Sequence, residues 1–304
     1  MSLWNQQLSL LVTEPWDDFA LLDSGGGRKL ERYGPYRFIR PEPQALWAPA
    51  QSEWQADGEF IGGSDEDGGG RWQLADRVPP RWTLARGAVR FHAANTPFRH
   101  LGFFPDMAAQ WDFMRPRVLP RVMREGDARR SFLNVFGYTG VASLIAAEAG
   151  AQVTHVDASK KAVAAARENA ALSGLTQAPV RWLIDDALKF LRREVRRGNR
   201  YHGLMLDPPK YGRGPEGEVW SLERDLPELV HLARQLVTDD GFVILTVYAI
   251  RMSAIALGEM LAAEFTGLGG TVEAGDMAIR EAGFAGEAGR GRLLPTAIFA
   301  RWSV

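Results

Sequence analysis

The sequence contains no cysteine among its 304 residues. A disulfide, a Cys-ligated zinc site and a thiol nucleophile are therefore excluded. The sequence also lacks an apolar run of about 18 or more residues, which a membrane-spanning helix requires. Its first residues lack the charged and apolar regions of a secretory signal. These absences predict a cytoplasmic protein without a membrane partner.

The sequence also lacks a large excess of positive or negative charge, since its formal net charge is -1 at pH 7. No global basic field therefore points to nucleic acid, and an RNA partner would require a local patch. The five histidines are scattered singly and show no metal-ligand spacing, so no metal is expected. A hydrophobic fraction of 46% is ordinary for a globular protein with a substantial core.

Residues 1–105 are rich in Trp, Gly and Pro, and they predict a small β-rich domain that could take part in substrate recognition. Four tryptophans in it could stack on bases or fill a small core, and core packing is favoured; they are Trp47, Trp54, Trp72 and Trp82. The predicted short strands include Tyr33 to Ile39, Arg71 to Leu74, Trp82 to Leu84, Val89 to His92 and Phe98 to Phe104.

Residues 106–130 predict a helical connector, and residues 131–304 alternate between strand-like and helix-like segments. Five strands are predicted at 132–136, 152–156, 180–184, 203–206 and 242–248. Helices are predicted at 141–149, 160–172, 187–197, 222–236 and 254–265. Two final strands, 271–280 and 294–302, are joined by the Gly-rich segment 283–291 and form a hairpin. The pattern predicts a Rossmann-like α/β sheet with five parallel strands and a C-terminal antiparallel pair.

The first of these strands runs into a turn that contains Gly137 and Gly140, and a helical pattern follows at once. Glycines there let a ligand approach the backbone closely, and exposed N–H groups at the start of the helix favour a carboxylate. An ordinary strand-to-helix turn remains the alternative. Asp157 ends the second strand, where a carboxylate can accept hydrogen bonds from both hydroxyls of a ribose. Its alternative role is to cap the next helix.

The pair Asp185 and Asp186 ends the third strand. One of them could bind an adenine amino group while the other caps the helix. Spacing does not decide between them, and we favour Asp185 for the ligand.

The sharpest signal is the segment Asp207–Tyr211 (DPPKY), which closes the fourth strand. Its prolines fix the backbone and remove hydrogen-bond donors, so carbonyl groups remain as acceptors. The carboxylate of Asp207 and the carbonyl of Pro208 can accept hydrogen bonds from a planar amine, while Tyr211 supplies a stacking face. The alternative is a rigid loop with a solvent-facing Asp.

Four segments together resemble the class I S-adenosylmethionine-dependent methyltransferases. They are NVFGYTG at 134–140, HVDASKK at 155–161, DDA at 185–187 and DPPKYG at 207–212. The chain is most similar to the bacterial group of the I- and K-type large-subunit ribosomal RNA methyltransferases, and the resemblance covers about residues 98–304. It implies a seven-stranded sheet and S-adenosylmethionine as the cofactor.

The resemblance also implies roles for individual residues. The first Gly turn would hold the methionine part, Asp157 the ribose and Asp185 the adenine. Gln110 lies in a segment similar to one that closes over the cofactor. The residues expected to contact the cofactor are Gln110, Phe136, Gly137, Thr139, Gly140, Asp157, Ala158, Asp185, Ala187 and Asp207. The expected catalytic residues are Asp207, Pro208 and Tyr211.

Two departures from the family limit the expected chemistry. The I-type enzymes carry an N-terminal PUA domain, which the first hundred residues do not resemble. Methylation of cytosine C5 in that group uses a Cys nucleophile, which this chain lacks. A base nitrogen in RNA, most of all ribosomal RNA, is therefore the favoured acceptor. A protein side chain or a small molecule remains an alternative acceptor. A nicotinamide-dependent dehydrogenase and a non-catalytic RNA-binding module are weaker alternatives.

Overall fold

A computed structural model describes residues 3–62, 70–119, 130–248, 252–283 and 291–304. The chain divides into two compact units. The first comprises Met1–Leu10, Gln110–Asp276 and Ala297–Val304, and the second comprises Leu11–Ala109 and Met277–Thr296. The predicted domain boundaries lie after residues 105 and 130, whereas these units meet at other positions in the chain. The predicted domains therefore stay a prediction. Residues 120–129 of the predicted connector and 284–290 of the predicted hairpin loop lie outside the described residues.

The strands of the described residues are, in chain order, β1 (Trp4–Thr13), β2 (Phe19–Gly25), β3 (Arg28–Tyr33), β4 (Tyr36–Pro41), β5 (Gly58–Ile61), β6 (Arg71–Leu74), β7 (Arg81–Arg86), β8 (Val89–Ala94), β9 (Ser131–Val135), β10 (Gln152–Asp157), β11 (Val180–Ile184), β12 (Tyr201–Leu206), β13 (Tyr211–Arg213), β14 (Val219–Ser221), β15 (Val237–Tyr248), β16 (Thr271–Arg280) and β17 (Leu293–Ser303).

The helices are α1 (Ala108–Val118), α2 (Val141–Glu148), α3 (Lys160–Leu172), α4 (Ala187–Arg196), α5 (Leu222–Leu236) and α6 (Ala254–Glu264). A short 3₁₀ turn at Pro105–Met107 precedes α1. The side chain of Ser159 caps α3 and that of Asp186 caps α4, each by accepting a hydrogen bond from a backbone N–H.

The main sheet has eight strands in the order β1-β16-β17-β15-β12-β9-β10-β11. The five adjacent strands β11, β10, β9, β12 and β15 run parallel to one another. Strand β17, on the other side of β15, is antiparallel to it. The predicted five parallel strands and final pair are confirmed. The sequence pattern missed β1, which adds an eighth strand beside β16.

Burial explains why these strands read as continuous apolar runs. All six residues of β12 are buried, as expected for a central parallel strand that is covered on both faces. Leu204, Leu206 and Leu245 are fully buried in one core with side chains of α4, α5 and α6. Because strand β9 lies between β10 and β12, the sheet order reverses beside it, and ligands bind at such a point in α/β sheets.

The second unit contains a five-stranded sheet in the order β2-β3-β4-β5-β6 and the separate pair β7-β8. Two strand predictions were wrong here. Residues 33–39 do not form one strand, because Gly34 adopts a φ of 61° and turns the chain between β3 and β4. Residues 98–104 form a loop, in which the Thr96 hydroxyl donates to carbonyl oxygens of that segment and Gly102 adopts a φ of 92°.

The four tryptophans considered for base stacking are held by contacts inside this unit. Each donates its indole N–H to an oxygen of the same unit: Trp47 to Ser24, Trp54 to Asp23, Trp72 to Thr96 and Trp82 to Tyr33. The ring of Trp82 also stacks on Phe38 at 5.4 Å between centroids. These contacts agree with the packing role that was favoured over base stacking.

Candidate functional site

The carboxyl ends of the parallel strands bring the predicted site residues to one edge of the sheet. In the register of the sheet, Val135 pairs with Val156 on one side and with Leu206 on the other. Asp157 pairs with Ile184 in turn. The residues that follow these positions are therefore neighbours, because adjacent strands lie only about 4.8 Å apart.

The turn after β9 has an unusual backbone. Phe136 and Tyr138 have φ angles of 60° and 48°, a left-handed region that non-glycine residues seldom adopt, and Gly140 has a φ of 81°. The N–H of Gly137 donates to the carbonyl of Val156 at 3.0 Å, and the N–H of Gly140 donates to that of Gly137 at 3.0 Å. Strain of this kind is often found where a protein clamps a ligand.

Asp157 ties the turn to β10. Its two carboxylate oxygens accept hydrogen bonds from the backbone N–H groups of Tyr138 and Ser159, each at 2.8 Å. Burial raises the pKa of Asp157 above its usual value, although both backbone hydrogen bonds act in the opposite direction. The helix cap is instead Ser159, so Asp157 is not committed to capping. A carboxylate has about four acceptor positions, which leaves room for a diol.

A buried polar cluster lies beneath the turn. The Asn134 side-chain amide donates to the hydroxyl of Ser143 at 2.9 Å, and this hydroxyl lies 3.0 Å from Nδ1 of His155. A Cβ at Gly137 would lie only 2.4 Å from the His155 ring, so a side chain there would force the ring or the turn to move. Burial lowers the pKa of His155 to about 3, and the ring is neutral. Sequence reasoning gave none of the three polar residues a role.

Two further contacts hold the rest of the turn. The carbonyl of Thr139 accepts a hydrogen bond from the side-chain amide of Asn169 at 2.9 Å. A Cβ at Gly140 would lie 2.8 Å from that of Ala166 on the same helix, α3. The glycines therefore let the turn pack closely on β10 and α3. Asn169 was missed, because a single buried Asn within a helix carries no spacing signal.

At the end of β11 the two aspartates have different partners. Asp186 caps α4 by accepting the N–H of Lys189 at 2.9 Å. Asp185 forms an ion pair with Arg193, which lies eight residues later on α4. Ala187 is buried as the first residue of α4, and Ala158 follows Asp157 at the neighbouring strand end. Asp186 is therefore the capping residue of the pair, while the contact of Asp185 with a ligand stays a prediction.

The segment after β12 is held through its second proline. The indole N–H of Trp220 donates to the carbonyl of Pro209 at 2.6 Å, and the N–H of Leu222 donates to that of Lys210 at 3.0 Å. The carbonyl of Pro208, in contrast, accepts no hydrogen bond from any residue that the structure describes. Its contact with a ligand, next to that of Asp207 in the chain, stays a prediction.

A small hairpin follows this segment. Strands β13 and β14 pair so that Gly212 faces Trp220, whose side chain is 4% exposed. The Trp220 ring packs on Phe136 of the glycine turn, with 5.0 Å between centroids. Tyr211 is 64% exposed on the hairpin. Trp220 therefore contacts both the turn after β9 and the loop after β12, a role that sequence reasoning missed.

The remaining predicted residue, Gln110, is fully buried in α1, and its contact with a cofactor stays a prediction. No helix of the described residues is long and apolar enough to cross a membrane. No group of three or more His, Asp or Glu side chains within the described ranges is arranged to hold a metal ion.

Comparison with solved structures identifies a similar chain of nearly the same length. The crystal structure of a SAM-dependent methyltransferase from Agrobacterium tumefaciens is 44% identical in sequence, with a TM-score of 0.91. The match covers 99% of this chain and 94% of that one. No family model matches the chain.

Two curated relatives have lower coverage. The ribosomal RNA large subunit methyltransferase K/L of Syntrophotalea carbinolica is 31% identical over 182 residues, which are 59% of this chain and 24% of that protein. The ribosomal RNA large subunit methyltransferase I of Shewanella denitrificans is 34% identical over 116 residues, 38% of this chain and 29% of that protein. The matches thus span less than a third of either relative.

Proposed function

Because the chain belongs to the S-adenosylmethionine-dependent methyltransferases, we propose that it methylates a nitrogen of a base in RNA, with ribosomal RNA as the favoured substrate. The observation that carries this proposal is the loop after β12. Asp207 and Pro208 directly follow β12, which pairs with β9 ahead of the glycine turn, and Tyr211 with its exposed ring comes three positions later.

The residues at the strand ends fit the cofactor of this family. A Cβ would collide at Gly137 and at Gly140, so the turn is built for close backbone packing. Asp157 presents a half-buried carboxylate with spare acceptor capacity, which suits a ribose diol. Asp185 would take the adenine amino group. Phe136, Thr139, Ala158, Ala187 and Gln110 would complete the contacts.

S-adenosylmethionine supplies a methyl group that is already activated on a sulfonium, so the protein mainly has to align the acceptor. The amino group of a base is planar, and its lone pair is delocalised into the ring. Hydrogen bonds from its two N–H groups to the Asp207 carboxylate and the Pro208 carbonyl would orient it and increase electron density on nitrogen. Tyr211 would stack on a base that is single-stranded or flipped out of a helix.

Two observations favour RNA over other acceptors. The curated relatives named above are ribosomal RNA methyltransferases, and a carboxylate, a carbonyl and an aromatic ring match the amino edge and face of a base. The absence of cysteine excludes the covalent route to cytosine C5. An RNA substrate agrees with the cytoplasmic location that we also propose.

Deletion of the gene followed by mass spectrometry of nucleosides from total RNA tests the proposal. We expect one N-methylated nucleoside to disappear from large ribosomal RNA and to return when the wild-type gene is supplied. The Asp207→Ala variant should not restore it. An unchanged RNA profile, together with loss of a methylated protein residue or small molecule, would contradict the proposal and favour the alternative acceptor.

A further inference from the structure

The solvent-facing side of the hairpin β13–β14 continues from Tyr211, the proposed stacking ring for the target base, to Arg213 and Val219, which the proposed function does not use. Tyr211, Arg213 and Val219 define this surface, the hairpin face. We infer that the hairpin face binds the single-stranded RNA that flanks the target base. The inference rests on the proposed function, because it assigns the surface that holds the substrate of the same site.

The strand register defines the hairpin face. Side chains alternate between the two sides of a strand, so Tyr211 and Arg213 point to one side and Gly212 to the other. Arg213 is paired with Val219 across the hairpin, and Tyr211 is paired with Ser221. Tyr211 is 64% exposed and Val219 is 58% exposed, although both are large hydrophobic residues.

The opposite side of the hairpin is firmly anchored. Trp220 is buried, packs on Phe136 and donates its indole N–H to the Pro209 carbonyl at 2.6 Å. The hairpin face therefore has a fixed position relative to Asp207, only two residues before Pro209. A fixed surface costs a ligand less ordering entropy on binding than a loop that must first be ordered.

The charged side chains that flank Tyr211 in the chain, Lys210 and Arg213, are cationic, which suits a phosphate. Arg213 is exposed and forms no ion pair with a described residue, while Nζ of Lys210 lies 5.6 Å from the centre of the Tyr211 ring. The acidic residues at the far end of the hairpin, Glu216 and Glu218, are both paired with Lys189 at 2.5 Å.

An aromatic ring and a neighbouring guanidinium are a combination that suits single-stranded nucleic acid. Bases of any identity stack on the ring, and the guanidinium binds a phosphate. Adjacent positions on one side of a strand are about 7 Å apart, since each residue advances the chain by about 3.4 Å. Stacking at Tyr211 and a phosphate at Arg213 can therefore engage neighbouring parts of one strand.

The test measures how a fluorescein-labelled single-stranded oligoribonucleotide of mixed sequence binds at several salt concentrations, using fluorescence anisotropy. Arg213→Gln should raise its Kd about tenfold, the loss expected for one charge-assisted hydrogen bond. It should also reduce the slope of log K against log salt by about 0.7, the value for one phosphate contact on a single strand. Arg213→Lys should retain the wild-type slope.

Arg167→Gln is the matched control, because Arg167 is an exposed arginine on α3, away from the hairpin. It should leave the Kd and the slope unchanged. Transfer assays with ribosomal RNA should show a raised KM for RNA in Arg213→Gln, with kcat and the Kd for S-adenosylmethionine unchanged.

The failures of the two proposals differ. If the wild type methylates RNA and Arg213→Gln has the same KM and salt slope as Arg167→Gln, the hairpin face is not the binding surface and the proposed function stands. If the wild type transfers label to protein and none to RNA, the proposed function is wrong and the inference falls with it.

Discussion

The close approach of the Gly137 backbone to His155 shows how single residues shape the proposed cofactor site. The turn lies so close to β10 that a Cβ at residue 137 would be 2.4 Å from the His155 ring. The ring is fixed by Ser143, which is fixed in turn by Asn134. Gly137 and the polar cluster of Asn134, Ser143 and His155 therefore pack together as one unit at the glycine turn.

The substitution Gly137→Ala should destabilise the protein by about 1–3 kcal/mol, because an added methyl group overpacks a buried site. Binding of S-adenosylmethionine should weaken as well, since the turn must move to relieve the collision. Urea unfolding measures the first effect, and isothermal titration calorimetry measures the second.

The double variant Gly137→Ala, His155→Ala supplies the control, because removal of the ring makes room for the methyl group. The cost of Gly137→Ala should be smaller in the His155→Ala background than in the wild type. Equal costs in both backgrounds would contradict the proposed packing.

Asp207 is the residue for which the account predicts the largest effect on the reaction rate. Asp207→Asn keeps the shape of the side chain and removes its charge, so the hydrogen bond that it accepts from the acceptor amine becomes a weaker, neutral one. We expect kcat to fall about 10- to 100-fold, measured by transfer of labelled methyl groups. Glu223→Gln, an exposed change in the first turn of α5, is the control. An Asn variant with full kcat would rule out this role for Asp207.

At the scale of elements, the sequence pattern predicted the parallel strands and their helices to within a few residues. Long segments with one clear period and caps such as Ser159 and Asp186 carry strong local signals. The edge strand β1 and the strands β13 and β14 were missed. Three-residue strands are too short to show a period of two, and the polar and apolar residues of β1 do not alternate.

The site residues that could be predicted from the sequence also carry a local signal, and those that were missed do not. Asp157, Asp185 and Asp207 could be recognised because each ends an apolar strand. Trp220, Asn169 and Arg193 act through contacts with residues at least eight positions away in the chain. Nothing in local spacing marks such residues, since their partners are set by how the helices and the hairpin pack.

The hairpin provides a prediction at the scale of elements. Trp220→Phe keeps an aromatic ring against Phe136 but removes the N–H that binds the Pro209 carbonyl. We expect kcat to fall about tenfold, the loss of one buried hydrogen bond, with the Kd for S-adenosylmethionine within about twofold of the wild type. Stopped assays at saturating cofactor and calorimetry measure the two quantities.

Trp220→Leu separates the two contacts of this side chain, because it removes the ring as well. Its Kd for S-adenosylmethionine should rise together with the fall in kcat. If Trp220→Phe has wild-type kcat, the hydrogen bond to Pro209 does not position the loop.

At the scale of the whole molecule, the buried ring of His155 should make the free energy of unfolding depend on pH. Its pKa is about 3 in the folded protein and about 6.5 in an unfolded chain. Between these values the unfolded state binds a proton that the folded state does not, so stability falls as the pH falls. The expected loss is about 1.4 kcal/mol per pH unit below about pH 6.5.

Urea unfolding of the wild type and of His155→Gln between pH 7 and pH 4 isolates this contribution, since the variant lacks the titrating ring. The wild type should lose more free energy of unfolding than the variant as the pH is lowered. A difference between the two proteins that stays constant with pH would show that His155 does not titrate in this way.

Methylation of an RNA base is the central claim for the whole molecule, and direct transfer tests it best. The purified protein is incubated with tritiated S-adenosylmethionine and large ribosomal RNA from the deletion strain, and the RNA is then digested to nucleosides and separated. We expect label in one N-methylated base, and none with the Asp207→Ala variant. Label in a C5-methylated pyrimidine, or in no nucleoside at all, would contradict it.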